Sequence, residues 1–389
     1  MAAFSPLLDL LADVPDPRRA EGKLYGLPHV LLFSILAIVS GCNSYRGVER
    51  RRSPDVVTFI DVHRRRLNAA CGLTWQRAPA HTAIRYILQG LDPAAVEAVF
   101  RRHAALLQAA RATPGQGSIA LDGKTLRGSV EPRGSPDFDK FHDRAAAQVL
   151  SAFATDTALV LAHVDIAEKS NEIPAAQALL AELGISPGTL VTLDALHCQK
   201  TFEAAAQAGV ALIVQVKGNQ PTLHEQSQSI SATTAPLESA CSHDKGRNRD
   251  ECRTVAVFDP AHELADTGWP HVAAIIRVER RVYTRNTATG MLRYSTETAF
   301  YVANTPVTAA RAVEAIRAHW KIETTSHYSR DVTLGEDRSR IRTNPGVFAR
   351  LRSFAFNILK GNQTDTLSQD RYRASLVDIR KLLRMLAVS

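Results

Sequence analysis

Two aspartates each follow a short apolar run and could place carboxylates at the edge of a sheet. Asp194 comes directly after the β-branched and apolar run 189–193, and the residues behind it become amphipathic at helical spacing. Asp122 follows a second apolar run, 118–121, and precedes Gly123. Ligands and catalytic groups collect at the carboxyl ends of strands in open α/β sheets. The two aspartates therefore predict a site that needs a third acid.

Each acid also has an ordinary structural interpretation. A lone aspartate that ends a strand is often a turn residue or a helix cap, and Glu323 alone resembles a helix-surface glutamate. His319, Glu323, His327 and Asp331 recur every four residues, a spacing that could hold zinc on one helix face. Stabilising side-chain pairs produce the same spacing, and we favour that interpretation over a zinc site.

The elements that must position the aspartates follow the order strand, strand, strand, helix, strand, helix, strand. The strands are predicted at 118–121, 148–154, 159–165, 189–193 and 211–216, and the helices at 172–183, capped by Asn171, and 197–208. This is the ribonuclease H-like order of an α/β fold. One aspartate falls on the first strand and the other on the fourth.

The first 112 residues are predicted to be helical and rich in arginine. Helices are expected at 6–12, 28–40, 45–52, 55–67, 81–88 and 93–110, the last with Asp92 as its N-cap. Arginines cluster in this part at 46, 50–52 and 64–66, and the whole chain carries a net charge of +8. One such cluster is as often a solvated helix face as a phosphate contact. Several clusters in one small domain favour DNA as the partner.

The rest of the chain divides into an insertion and a closing helical part. Residues 221–305 have polar loops with strand-like runs at 253–258, 273–278 and 298–302, which predicts a β-rich insertion. Thr308 is expected to cap a long helix that contains Glu323, and helices at 347–360 and 375–387 follow. The predicted domains are 1–112, a catalytic domain of 113–220 with 306–389, and the insertion.

Composition excludes several other classes of protein. The five cysteines are scattered and never spaced as Cys-x-x-Cys, which argues against a disulfide framework or a zinc ribbon and fits a reducing cytoplasm. The apolar run 27–39 is shorter than a membrane span of about 20 residues, so a core helix is expected there and no membrane partner. Gly123-Lys124-Thr125 lacks the upstream glycine of a phosphate-binding loop, so ATP binding is not indicated.

Three longer motifs carry a resemblance to a known family. They are Leu-Asp-Gly-Lys-Thr-Leu-Arg-Gly around Asp122, Thr-Leu-Asp-Ala-Leu-His-Cys-Gln-Lys around Asp194, and His-Trp-Lys-Ile-Glu ending at Glu323. They resemble the conserved blocks of DDE insertion-sequence transposases, and most of all the ISAs-type family that includes the H-repeat-associated proteins. Segments 216–220 and 344–353 resemble the same family, so the resemblance covers nearly the whole chain.

The resemblance implies a ribonuclease H-like core in which Asp122, Asp194 and Glu323 bind two Mg²⁺ ions, with Mn²⁺ as a substitute. Two ions about 3.5–4 Å apart can activate the attacking oxygen and stabilise the leaving one, so one carboxylate must bridge them. Asp122 is the implied bridge. Oxygen ligands suit Mg²⁺. The implied function is a DNA transposase that cuts and joins the ends of its own element. The alternatives are an inactive, transposase-derived DNA-binding protein and, more distantly, a zinc hydrolase.

The resemblance also implies DNA contacts and partners. The wider superfamily carries Tyr, Arg, Glu and Lys on its last helix, where this chain has Ile316, His319, Glu323 and Arg330. The expected DNA contacts are Lys124, Arg127, Arg46, Arg50, Arg51, His319 and Arg330. The expected partners are the element's terminal inverted repeats and target DNA, bound by a homodimer at the nucleoid of a bacterial cytoplasm. Glu336 and Asp337 are expected to form ion pairs near a turn and not to be the third acid.

Overall fold

A computed structural model describes residues 5–44, 55–113, 117–129, 146–166, 172–183, 188–194, 198–246, 248–260, 264 and 268–387. The predicted helix 45–52, with Arg46, Arg50 and Arg51, and the predicted cap Asn171 lie outside these residues.

The described part of the amino-terminal region is helical, as predicted. Its helices are α1 (Ser5–Ala12), α2 (Leu27–Val39), α3 (Val56–Cys71), α4 (His81–Gly90) and α5 (Pro93–Ala109). Asp55 caps α3 by accepting a hydrogen bond from the Thr58 amide, and Asp92 caps α5 through the Ala94 amide. The cap at Asp92 was predicted because a small acidic residue preceded Pro93, the favoured residue of a first helical turn.

Helix α2 is apolar over nearly its whole length and lies in the core. It is the single described helix, with the residues just before it, that is long and apolar enough in composition to cross a membrane. Its side chains from Val30 to Val39 are fully buried. It packs against α1, α3 and a carboxyl-terminal helix, α10 (Pro345–Gly361). The prediction of a core helix is therefore confirmed.

The remaining elements alternate between strands and helices. In chain order they are β1 (Ile119–Thr125), β2 (Gln148–Ala154), β3 (Val160–Ile166), α6 (Glu172–Glu182), β4 (Leu190–Leu193), α7 (Cys198–Gln207), β5 (Ala211–Val216), α8 (Pro221–Thr233), β6 (Glu238–Gly246), β7 (Arg249–Phe258), β8 (Ala274–Arg285), β9 (Leu292–Ala303) and α9 (Ala309–His319). After α10 come α11 (Leu367–Leu376) and α12 (Ile379–Arg384).

The nine strands among the described residues form one mixed sheet in the order β3-β2-β1-β4-β5-β9-β8-β7-β6. Strands β1, β4 and β5 are parallel neighbours, and β2 and β3 pair antiparallel. The order of the first five strands, with α6 before β4 and α7 before β5, is that of a ribonuclease H-like core. The predicted α/β fold class is confirmed.

The insertion extends the same sheet, because β9 pairs antiparallel with β5. Strands β8 and β9 have 12 residues each, about twice the predicted length. Helix α8 and strand β6 were not predicted. Residues 238–246 of β6 are mostly exposed and polar, so they carry no apolar alternation, and backbone pairing with β7 fixes this strand.

The chain forms two compact units whose boundaries differ from the predicted domains. One unit comprises 1–112, 123–169 and 323–389, and the other 113–122 and 170–322. In the first, α5 packs on β3 and on α10, which joins the helical region to β2 and β3. In the second, α9 packs on β4, β6 and β7 through small and apolar side chains such as Ala312, Ala315 and Ile316.

A buried polar network stabilises the first unit. Glu97 Oε2 lies 3.0 Å from His163 Nδ1, and His163 Nε2 lies 2.9 Å from Ser353 Oγ. Arg350 donates from Nε to Glu97 at 2.8 Å and also pairs with Asp165. The Ser, His and Glu partners resemble a catalytic triad, but all three side chains are buried. We assign the network a structural role because no substrate reaches Ser353.

Replacing Glu97 by Gln should lower the free energy of unfolding by about 3–5 kcal/mol, because Arg350 then keeps a buried charge with a weaker partner. Urea denaturation measures this, with the exposed Glu225→Gln on α8 as a control expected within about 0.5 kcal/mol of the parent.

The effect of Glu97→Gln on the free energy of unfolding should depend on pH. Burial alone would raise the pKa of Glu97, but His163 and Arg350 outweigh it and hold the pKa at about 2. A lowered carboxyl pKa stabilises the fold above the unfolded value of 4.5, and this stability is lost as pH falls toward about 2. The stability difference between parent and Glu97→Gln should therefore shrink below pH 4.5. Equal stability of the parent and Glu97→Gln at neutral pH would contradict the structural role of the network.

Candidate active site

Asp122 and Asp194 lie at matching positions of adjacent parallel strands. Asp194 directly follows β4, as predicted, whereas Asp122 lies in the middle of β1, which continues to Thr125 beyond the predicted end at Leu121. Ile119 pairs with Val191 and Ala120 with Thr192, so the register continues from Ala120 and Thr192 to the two aspartates, each two residues further. Residues at matching positions of neighbouring strands are about 4.8 Å apart and point to the same face. Asp194 is half-exposed, and Asp122 is partly buried. The register therefore places the two aspartates next to each other on one face, at the point where β4 ends.

Lys217 is a member of this site that the sequence predictions did not include. Its Nζ donates to Asp194 Oδ1 at 2.7 Å, and both side chains are about half exposed. Lys217 directly follows β5, as Asp194 follows β4, and the two strands are parallel neighbours. A charged residue directly after a predicted strand, as Asp194 is after β4, was the sequence signal that could have identified Lys217.

His319, the last residue of α9, bonds to strand β4, which Asp194 directly follows. Its Nδ1 shares a hydrogen bond of 2.8 Å with Thr192 Oγ1. Burial lowers the pKa of His319 to about 4, and the negative charge of Asp194 opposes that shift only in part. The ring is therefore neutral near pH 7. The DNA contact expected of His319 stays a prediction, and in the structure its side chain ties α9 to β4 through Thr192.

Glu323 does not lie in the interior of a long α-helix as predicted. Thr308 caps α9 through the Arg311 amide, as expected, but α9 ends at His319 and a π-helical turn at Ile322–His327 carries Glu323. Ile316 and Ile322 are buried, as predicted, whereas Trp320 is exposed. The Glu323 side chain is exposed. Irregular π turns of this kind occur often at functional sites.

The predicted four-residue face along this segment is not assembled. A second π turn covers Ser329–Thr333, so residues four apart no longer align as they do on an α-helix. Asp331 pairs with Lys124, and His327 is buried, with its pKa lowered to about 3 by that burial and by Arg330 and Lys124. Within the described parts of the chain, these residues form no metal-binding group.

Two of the predicted DNA contacts are buried in ion pairs. Lys124 is 6% exposed, bonds Asp331, and lies 3.9 Å from Glu336 Oε2. Arg330 is fully buried and donates from Nη2 to Glu336 Oε1 at 3.0 Å. These placements contradict phosphate contacts for Lys124 and Arg330. The sequence motifs do not show these ion pairs, because strand and helix packing, and not sequence spacing, brings the charged partners together.

Glu336 and Asp337 form the ion pairs that were expected of them. Burial would raise the pKa of Glu336, but Arg330, Arg352 and Lys124 outweigh it and lower the pKa. Asp337 lies 3.6 Å from Arg127, whose side chain is 78% exposed. Arg127 thus keeps a surface on which a phosphate can bind. Glu336 is buried, which the sequence did not indicate.

The strand order defines a ribonuclease H-like core, and two aspartates lie at matching positions in β1 and directly after β4. The chain belongs to the transposase DDE domain family, which residues 113–358 match, and residues 8–104 match the family described as DDE_Tnp_1-associated.

The chain is similar to several individual proteins. The H repeat-associated putative transposase YhhI of Escherichia coli (strain K12) is 28% identical over 370 residues, which is 92% of this chain and 91% of the relative. The uncharacterized protein in the dhlA 3' region of Xanthobacter autotrophicus is 31% identical over 277 residues, 69% of this chain and 86% of that protein. The solved piggyBac transposase synaptic complex with hairpin DNA aligns with a TM-score of 0.41 and 10% identity, covering 99% of this chain and 77% of that one.

Proposed function

We propose that this protein is a DNA transposase that cleaves and joins the ends of its own insertion sequence. The observation that carries the proposal is the register of β1 and β4, which puts Asp122 and Asp194 at matching positions of neighbouring parallel strands in a chain of the DDE domain family. Both side chains offer carboxylate oxygens, the ligands that Mg²⁺ prefers, and no thiol takes part in the pair. The donor set therefore fits Mg²⁺, with Mn²⁺ as a substitute.

Glu323 is proposed as the third carboxylate on the evidence of the segment that carries it. Four residues before it, His319 bonds Thr192, which is two residues from Asp194. Eight residues after it, Asp331 pairs with Lys124, which is two residues from Asp122. The family motif His-Trp-Lys-Ile-Glu supports the same assignment.

When bound, two divalent ions would activate the attacking oxygen and stabilise the leaving oxygen of a phosphodiester. Asp122, Asp194 and Glu323 would hold these ions, with Asp122 proposed to serve both and Asp194 and Glu323 one each. The ammonium of Lys217 forms an ion pair with the Asp194 carboxylate and partly offsets its negative charge. We propose that Lys217 shifts from Asp194 to a DNA phosphate once the carboxylate is engaged, because a half-exposed side chain has room to move. Arg127 is exposed and is proposed to bind the DNA backbone.

The DNA partners proposed are the terminal inverted repeats of the element and its target DNA. Two ends of one element require two active sites, so a homodimer assembled on DNA is proposed, in a bacterial cytoplasm at the nucleoid. A net charge of +8 favours association with a polyanion. Arg46, Arg50 and Arg51 are proposed to neutralise phosphates of the repeats.

Replacing Arg46, Arg50 and Arg51 together by alanine should weaken the dependence of DNA affinity on salt. Each neutralised phosphate contributes a slope of about −0.9 in log affinity against log salt, so the triple variant should be shallower by roughly three units. Fluorescence anisotropy across a salt series measures the slope, with Arg373→Ala on α11 as a control. A slope unchanged in the triple variant would place the phosphate contacts elsewhere.

The proposed function is tested by transposition of a marked element in cells. A donor plasmid carries a resistance gene between the native element ends, and the full chain is supplied from a second plasmid. Transposition above the background of an empty vector is expected. Binding to the ends with no excision or transposition would instead favour the alternative, a catalytically inactive transposase-derived DNA-binding protein.

A further inference from the structure

Three side chains with metal-binding atoms meet on the β6–β7 hairpin of the insertion, remote in sequence from the acidic motifs. Cys241 Sγ lies 3.3 Å from Cys252 Sγ, and Cys252 Sγ lies 3.6 Å from His243 Nε2. All three ligand atoms lie within 4.8 Å of one another. Among the residues that the structure describes, this is the one group of three or more His, Cys, Asp or Glu side chains so arranged.

The strand register explains why these side chains meet. Cys241 and His243 are two residues apart on β6, so they share one face of the strand. On β7, Cys252 pairs directly with His243, and Thr254 pairs with Cys241. The cysteines are therefore diagonal neighbours with the imidazole beside them. A search of the sequence for Cys-x-x-Cys misses this group, because strand pairing across the hairpin brings the three side chains together.

The distances agree with a shared ion. With Zn–S bonds of about 2.3 Å and Zn–N bonds of about 2.0–2.1 Å, tetrahedral angles place two sulfurs roughly 3.8 Å apart and a sulfur and a nitrogen roughly 3.6 Å apart. The observed separations of 3.3 and 3.6 Å need only small side-chain adjustments to match. Thiolate and imidazole ligands select zinc, whereas the carboxylate edge suits Mg²⁺.

We propose that Cys241, His243 and Cys252 bind one Zn²⁺ ion, with water in the fourth position. Cys241 and His243 are exposed and Cys252 is partly exposed, so the ion enters from solvent. The site differs in location and in ligand chemistry from the proposed catalytic carboxylates.

The ion would add a side-chain link to the backbone pairing that already joins β6 to β7. Strand β6 is the last strand of the sheet, and residues 243–246 are exposed. A cross-strand ion joins β6 to β7 near the turn, where apolar packing is missing. Fixing an exposed edge also limits its pairing with other chains.

The test uses the full chain, purified under reducing and anaerobic conditions and loaded with ZnCl₂ or CoCl₂ alone. We expect one zinc per chain after exhaustive dialysis, measured by elemental analysis, and a thiolate-to-Co²⁺ charge-transfer absorption. Cys252→Ser and His243→Gln should each weaken zinc binding more than about 100-fold, since loss of even an outer-shell partner costs 10–100-fold. Cys71→Ser, a thiol on α3, and Asp194→Asn, in the proposed active site, should leave zinc binding unchanged.

Two results would overturn the proposal. One is zinc binding by Cys252→Ser that is as tight as that of the parent. The other is a reduced parent chain that retains no zinc, whether or not it forms a Cys241–Cys252 disulfide on exposure to air. Because Asp194→Asn is expected to keep its zinc, loss of transposition in that variant and loss of zinc in the hairpin variants are independent outcomes.

Discussion

Asp122→Asn and Asp194→Asn should each reduce Mg²⁺-dependent cleavage of element-end DNA by at least about 10³-fold. A bound ion supplies several kcal/mol of transition-state stabilisation, and each 1.36 kcal/mol is a tenfold change in rate. Asparagine keeps the size of the side chain but removes the charge that holds an ion. DNA affinity should change by no more than a few-fold. Rates are measured on end-labelled duplexes, with affinity determined in Ca²⁺.

The fold should tolerate both changes, because Asp194 is half-exposed and Asp122 is not fully buried. Asp156→Asn, at the exposed turn between β2 and β3, is the matched control and should cleave like the parent. Mg²⁺-dependent cleavage retained by either Asp122→Asn or Asp194→Asn would remove the basis for the carboxylate assignment.

The second large effect is expected at Glu323. Glu323→Gln should lose cleavage in Mg²⁺ to a similar extent, since it removes the third proposed ion ligand. Because the Glu323 side chain is exposed, Glu323→Gln should fold like the parent, so a folding defect would not explain the loss of cleavage. Asp337→Asn, in the same acidic region, should retain nearly all activity because Asp337 pairs with Arg127 on the surface.

Glu336 needs separate treatment, because it is buried among cationic groups. Arg330 lies 3.0 Å and Arg352 lies 4.0 Å from Glu336 Oε1. Removing one partner of a buried pair costs about 3–5 kcal/mol, so Glu336→Gln should unfold more readily. Its activity is interpretable only beside its unfolding curve. An active Glu323→Gln together with an inactive, fully folded Asp337→Asn would show that the third acid has been misassigned.

The elements that the sequence predicts well are those whose signals are local. Asp92 and Thr308 precede their helices as caps, and the apolar run before Asp194 ends where β4 ends. Strand β2 was predicted with the bounds that the structure has. The pairing of the two aspartates followed because both runs were parallel strands of one predicted core.

Features that depend on contacts between distant residues could not be predicted. Arg330 and Lys124 look like exposed cations in a basic chain, and only the fold shows that Glu336 binds both. The π turns around Glu323 depend on packing after α9, because the sequence continues a helical pattern there. Cys241 and Cys252 come together through the register of a hairpin whose first strand lacks an apolar pattern.

The most direct measurement is cleavage of duplex DNA carrying the native element end by the purified chain in Mg²⁺, Mn²⁺, Ca²⁺ or EDTA, beside Asp194→Asn. We predict strand cleavage at the element end by the parent chain in Mg²⁺ and Mn²⁺, none in Ca²⁺ or EDTA, and none by Asp194→Asn in any condition. Cleavage in EDTA, or equal cleavage by the parent chain and Asp194→Asn, would contradict a transposase whose chemistry depends on metal ions held by Asp122, Asp194 and Glu323.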